Sequence, residues 1–348
     1  MKTKTPSRPR PLLRRALPRQ GGMTLIELMI SLLLGLFVIG GVLGIFTASR
    51  EASRVNENLA RVQENIRVAF DLMGHSIREA DSNPCFRARD RLTGPLGVLN
   101  LANNLPSAWS TDIETAVRGY AGALPGGIIP PGIAAVAGSD AIILISGTSN
   151  ASPVVFTPGA PGTVRLLPHS HPAAAMGNYI LCHQNGGMAF RGVIPAVASG
   201  ESVYPLPAPV PSVSPTGAPM GWLAELTAEA WFVGTNAGTG KTSLYRTVIA
   251  PGVAATEPII ADVVKMELRY LVDDYDNSGT SLIATPTEYV DAAAVNAIAV
   301  GSGSAWDFVR AVSVTLELRG AENVAAAGAD RRLRRTLMHI ASIRNRLP

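Results

Sequence analysis

Between Leu28 and Phe46 the chain reads LMISLLLGLFVIGGVLGIF, nineteen residues among which only Ser31 is polar. As a helix this run reaches roughly 28 Å, about the thickness of a bilayer's hydrocarbon core. Beyond Arg50 the pattern changes. Apolar side chains recur at Val55, Leu59, Val62, Ile66, Ala69, Met73, Ile77 and Ala80, with charged residues on the remaining faces. Spacing by three and four marks one apolar helical stripe, and Glu57 and Arg61 stand at i, i+4. No proline occurs between Met23 and Asn83. The pattern therefore predicts one continuous helix over 24–81, roughly 87 Å long, ended by Pro84. Its first half is apolar on every face. Its second half is amphipathic and is expected to lie against a sheet.

After the helix the period falls to two. Strands are expected at Asp140–Ser146, Thr163–Leu167, Tyr179–Gln184, Met188–Ile194, Thr227–Val233, Ser243–Ile249, Val263–Val272, Phe308–Leu318 and Thr336–Arg344. Asn185-Gly186-Gly187 is expected to turn the third strand into the fourth. Residues 87–135 read as loop, and 205–221 as a Pro-rich linker-like loop. The fold class that follows is α+β, a long N-terminal helix packed on antiparallel sheet. With 34 Gly, 26 Pro and few aromatics, the body should have long loops and modest packing.

Charge sharpens this picture. Residues 1–22 hold Lys2, Lys4, Arg8, Arg10, Arg14, Arg15 and Arg19 and no acid. Removing these seven from 30 Lys+Arg leaves 23 against 26 Asp+Glu, so residues 23–348 carry a formal charge of −3. The basicity is a leader property, and the body gives no support for nucleic-acid binding. A basic leader before a spanning helix places the N-terminus in the cytoplasm and the C-terminal body outside. A cleaved secretory signal fits poorly, because its apolar core runs to about 7–15 residues before an A-x-A-like site, and here Thr47-Ala48-Ser49-Arg50 follows a longer core.

Glu27 sets the puzzle. A charge near the centre of a spanning helix costs about 2.5–3.5 kcal/mol, less near its end. If the chain were cut between Gly22 and Met23, Glu27 would lie in the first turn of the helix, where the dipole favours a negative charge, one turn from a new α-amine. Gly40 and Gly44 form a G-x-x-x-G pair, and with Gly35 and Gly41 they would let neighbouring helices approach closely or let this one loosen.

The basic leader, Gly22 and TLIEL resemble the type III signal of type IV pilins and pseudopilins, with Met23 where most members have Phe. The resemblance implies cleavage after Gly22 by prepilin peptidase, N-methylation of Met23, and an assembly role for Glu27. LARVQENIRVAFDLMGHSIREA with Cys85 shortly after, WFVG…SLYR over 231–246, MELRYLVDDYDNSG over 266–279 and the closing LMHIASIRNRLP resemble the PilW family of minor pilins. The implied organisation is a leader (1–22), a transmembrane and assembly half-helix (23–48), an amphipathic half-helix (49–83) and a periplasmic β-rich domain (84–348).

Other chemistry is weaker. Gly234–Thr242 (GTNAGTGKT) approaches a phosphate loop, but the Gly required six residues before Lys241 is Thr235, and a strand pattern follows where a helix is needed. A hairpin turn is expected there. Asp274, Asp276, Ser278 and Gly279 begin like a calcium loop, but Thr285 stands where the closing Glu belongs, which leaves Asp274 and Asp276 a weak calcium candidate. His169, His171 and His183 have no local carboxylate and read as solvated. No catalytic constellation appears, and no cofactor is called for. Cys85 and Cys182 are expected to form one disulfide outside the cytoplasm, closing a loop of about 98 residues worth about 4–5 kcal/mol in the chain-entropy model; two buried thiols are the alternative.

The reading is a non-enzymatic minor pilin, inserted in the bacterial inner membrane with its body in the periplasm. It would be assembled into a pilus with other minor pilins and major pilin. A minor pseudopilin of a type II secretion system shares the same N-terminal signal. A signal-anchored periplasmic enzyme or binding protein would need a site the sequence does not display.

Overall fold

The computed structural model describes residues 22–82, 98–100, 115–122, 124–147, 151–156, 162–168, 177–183, 186–197, 199–206, 220–250, 253–273, 288–298, 304–323 and 332–346. It divides into two units, Met1–Asn56 and Glu57–Pro348. One helix, α1 (Leu25–Glu79), begins in the first and ends in the second. Its bounds fall one and two residues inside the predicted 24–81.

In the second unit the predicted stripe is the buried one. Val62, Ile66, Ala69, Met73 and Ile77 are all buried, and Ala80 follows in the turn. Burying side chains such as Ile66, Met73 and Ile77 contributes about 1.5–3 kcal/mol each. The other faces are mostly polar, with Glu57 and Arg61 paired at 2.7 Å in the open, although Val68 and Leu72 are also exposed.

The strands in chain order are β1 (Val98–Asn100), β2 (Val117–Tyr120), β3 (Ile133–Ala135), β4 (Ala141–Gly147), β5 (Ser152–Phe156), β6 (Thr163–Leu166), β7 (Gly177–His183) and β8 (Gly186–Gly192). They continue with β9 (Ser202–Pro205), β10 (Met220–Asn236), β11 (Thr242–Ala250), β12 (Val253–Ala261), β13 (Val263–Val272), β14 (Tyr289–Val290), β15 (Val309–Asn323) and β16 (Arg332–Ser342). A short helix, α2 (Ala292–Ala297), lies between β14 and β15.

Two sheets result. A twelve-stranded one runs β1-β8-β7-β10-β5-β6-β9, with β2, β3, β4, β11 and β12 attached around β10. A four-stranded one runs β14-β13-β15-β16. Among the described residues, pairing is antiparallel except between β1 and β8. The seventeen-residue β10 organises the larger sheet: its first part pairs β5 and β7, and its second part pairs β3, β4 and β11. A strand this long serves two sets of neighbours in succession.

The sheets meet beneath α1. One apolar cluster joins the helix stripe to Val117, Ile142, Leu144, Trp231 and Leu244 of the larger sheet and to Met266, Leu268, Val312, Val314 and Leu316 of the smaller. Polar stitches reinforce the junction. Ser139 Oγ accepts from Met266 N at 3.0 Å, and Asp140 Oδ2 accepts from Leu268 N at 2.8 Å. Burial, only partly offset by that bond, pushes the Asp140 carboxyl above its ordinary range.

Several expectations need correction. The presumed loop 87–135 holds β1, β2 and β3, too short to show a period of two. The presumed linker 205–221 gives Pro205 to β9 and its last two residues to β10. Val253–Ala261 is a strand although Pro258 interrupts its pattern. β8 begins at Gly186, so Gly186 and Gly187 belong to the strand and not to a turn. The closing strand ends at Ser342, and Arg344–Arg346 form a 3-10 turn.

That turn anchors α1. After Glu79 the chain reverses through Asp81, which has φ +62°, a conformation Asp tolerates better than most residues. Asp81 N donates to Ile145 O at 2.9 Å, and Ser82 exchanges bonds with Gly147. Arg346 enters this corner fully buried. Its Nε bonds Asp81 Oδ2 at 2.9 Å, and its terminal nitrogens donate to the carbonyls of Trp306, Val309 and Thr115. Asn345 Nδ2 donates to Ala80 O at 3.2 Å. The last residues of the chain thereby close over the end of its first helix.

Two stability predictions follow from this core. Arg346→Met removes the guanidinium that bonds the buried Asp81 carboxyl group, so the urea midpoint should fall by the equivalent of about 3–5 kcal/mol. Adding Asp81→Asn, which keeps the positive φ and removes the charge, should recover part of that loss. Gly119 is the close-approach position. A Cβ there would collide with the hydroxyl of Tyr270, a side chain fully buried against Trp306 and held well above its ordinary pKa by desolvation. Gly119→Ala should cost about 1–3 kcal/mol in the same measurement.

Candidate functional site

The first helical turn is built from a cap. Gly22, Met23 and Thr24 are exposed and precede the helix, which begins at Leu25. The Thr24 carbonyl accepts the first helical bond from Leu28 N at 3.1 Å. Its hydroxyl accepts from Glu27 N at 3.3 Å. Thr24 is thus the N-cap and Glu27 the third helical residue, the T-x-x-E spacing of a capping box. Glu27 lies where the helix dipole favours an anion, and its side chain is exposed.

From Leu25 to Phe46 the large apolar side chains of the first unit are exposed, among them Leu36 and Phe37 at 72% and 75%. The helix is long and apolar enough to cross a membrane by length and composition. Its polar side chains bond inward. Ser31 Oγ donates to the Glu27 carbonyl, and Thr47 Oγ1 donates to Leu43 O at 3.0 Å and Gly44 O at 2.9 Å. Such back-bonding leaves no hydroxyl proton unmet in hydrocarbon. Gly35, Gly40, Gly41 and Gly44 lie within unbroken helix with open space where a Cβ would be. At the end of the apolar run the Arg50 guanidinium stacks over the Phe46 ring, 4.3 Å from its centre. A cation folded back on an aromatic ring suits a membrane boundary.

The amphipathic half carries a polar contact with the sheet. Ser76 Oγ donates to Glu229 Oε2 at 2.7 Å, Trp231 Nε1 reaches the same oxygen at 3.3 Å, and Arg246 bonds Glu229 Oε1. A small cleft of about 140 Å³ opens beside them, lined also by Leu72, His75 and Glu79. The plain effect of these bonds is to fix the rotation of the helix over the sheet.

The remaining candidates do not converge on a site. Cys182 is buried on β7 at 4% exposure, and Cys85 lies outside the described residues. So do Asp274, Asp276, His169 and His171. Among the described residues no group of His, Cys, Asp and Glu is placed to hold a metal ion. Gly234–Thr242 is the expected hairpin between β10 and β11. Asn236 Oδ1 accepts from Gly238 N and Thr239 N, and Gly240 takes φ +64°. Sequence reasoning missed the Thr24 cap, although TLIE displays it, and missed Arg346 and Glu229, whose burial no local pattern announces.

Residues 17–43 match the family model of the prokaryotic N-terminal methylation motif. Residues 230–345 match that of Type IV Pilus-assembly protein W. No curated protein and no solved structure matches the chain. The chain therefore carries a prepilin methylation motif at its start and PilW sequence over its last third, on an α+β pilin-like fold, and these features support a pilin role.

Proposed function

We propose that the chain is a minor pilin of a type IV pilus. Residues 1–22 are its leader, prepilin peptidase cuts between Gly22 and Met23, and Met23 is N-methylated. Residues 23–48 then hold the protein in the bacterial inner membrane, with the body in the periplasm, until it joins other minor pilins and major pilin. The observation that carries this reading is the start of α1: an exposed Gly22–Met23 bond ahead of the helix, a capped first turn presenting Glu27, and an exposed apolar helix behind it. A neighbour's new α-amine would neutralise Glu27 in the filament. Gly40, Gly41 and Gly44 would allow close helix approach or local loosening there. A type II secretion pseudopilin shares the motif, and the PilW match over 230–345 favours the pilus.

Mass spectrometry of the mature N-terminus tests the processing. It should find methylated Met23 in the wild type and an uncut leader in Gly22→Ala. Glu27→Ala should be cut and inserted as before yet lose most of its incorporation into sheared pili; normal incorporation removes Glu27 from the assembly contact.

On the same reading Cys182, buried and not free, pairs with Cys85 after export. Peptide mapping without reductant should recover the two cysteines joined, and Cys182→Ala should lower the urea midpoint by the equivalent of about 2–5 kcal/mol.

A further inference from the structure

Two sheets of this size have several edges, and an open edge is a template for another strand unless it is blunted. Among the described residues nearly every edge here is blunted. β1, β2, β3 and β14 have two to four residues each. β9 has four and ends in Pro205. β12 is longer, but Pro258 interrupts it opposite a bulge between Leu244 and Tyr245. β16 is the exception. It has eleven residues and no proline, pairs only with β15, and keeps unbroken register from Arg319↔Arg334 to Ala311↔Ser342.

Its two faces differ. Leu337 packs on the core beneath α1, His339 stacks on Phe70 at 5.3 Å, and Ala341 is buried. The alternate positions, Arg334, Thr336, Met338 and Ile340, face away. Met338 is 64% exposed and Ile340 47%, beside only Thr315 and Ser313 on β15. The strand opens with Arg332, Arg334 and Arg335 and contains no acid. The described acid that answers them is Glu317, 3.0 Å from Arg334. Arg335 is exposed.

We propose that β16 is a docking edge that takes an extended acidic segment of a partner protein as one more strand. Main-chain bonds supply the affinity. Specificity follows from the period of two: carboxylates at the end beside Arg334 and Arg335, and apolar side chains at alternate positions beside Met338 and Ile340. A second copy of β16 is the rival occupant. Antiparallel self-pairing about His339 would set Met338 opposite Ile340 but bring no carboxylate from the second copy to either arginine cluster. The inference deepens the minor-pilin reading by naming a partner surface, and its test does not use leader cleavage or pilus incorporation.

The probe is a capped synthetic peptide, Asp-Asp-Thr-Thr-Val-Thr-Val, with its reversed sequence for antiparallel entry, added to the purified full chain in detergent micelles. Amide hydrogen exchange is read across 332–342. At ten times its dissociation constant, one of the two peptides should slow the outward-pointing amides of β16 by about tenfold. A peptide with Lys for Asp should leave them unchanged. Ile340→Asp and Arg335→Glu, both at exposed positions, should each abolish the protection while the urea midpoint stays near the parent's. Equal protection by the lysine peptide, or none by either acidic peptide, overturns the proposal. Concentration-dependent protection of β16 without peptide, accompanied by dimer formation, overturns it in favour of a second copy.

Discussion

The body of this protein depends on a contact between its two ends. Arg346 brings a guanidinium to the end of α1, where its Nε bonds the Asp81 carboxylate and its terminal nitrogens donate to three backbone carbonyls. Such an arrangement is costly to assemble, because both charges leave water, and more costly to break by halves. Its value is geometric. The helix stripe could slide along a sheet with little change in apolar burial, whereas a forked donor with several fixed acceptors admits one position. The Ser76–Glu229–Arg246 bonds perform the same service a turn earlier, setting rotation where Arg346 sets the axial stop.

This anchoring has a consequence for folding order. The helix is made first and its clamp last. Until Arg346 emerges, the stripe Val62–Ile77 can collapse on sheet but lacks its final stop. The contacts beneath α1 also join strands far apart in sequence, such as β2 with β13, which slows folding through the loop-closure cost.

How much of this was legible follows from the range of each interaction. The helix was readable because its signal is local and long: an apolar run, then a stripe at three and four, and no proline. The longer strands were readable for the same reason, and Val263–Val272 agrees residue for residue. β1, β2 and β3 were not, since three or four residues carry too little alternation against a Gly- and Pro-rich background. β12 was hidden by Pro258, which an edge strand tolerates. Nothing local announced the burial of Arg346, because Asp81 and Thr115, two of its partners, lie 265 and 231 positions away. Thr24 was the opposite case: its cap was visible in TLIE, but the charge on Glu27 drew the reasoning to an intermolecular role and away from the helix start.

The two readings of Glu27 are compatible, and physical chemistry says which property each controls. Lipid tails are about as apolar as leucine, so exchanging a bilayer for neighbouring helices changes little for the side chains between Leu25 and Phe46. Apolar surface alone would make entry into a filament nearly neutral. A carboxylate alters that balance. In the bilayer it must find headgroups, water or its own amine; beside another subunit's amine it gains a charged partner in a medium that screens weakly. The cap bond to Thr24 uses only the backbone N–H of Glu27, so its carboxylate is not committed by that bond. On the proposed function, the hydroxyl fixes where the helix starts, and the carboxylate gives its assembly a direction.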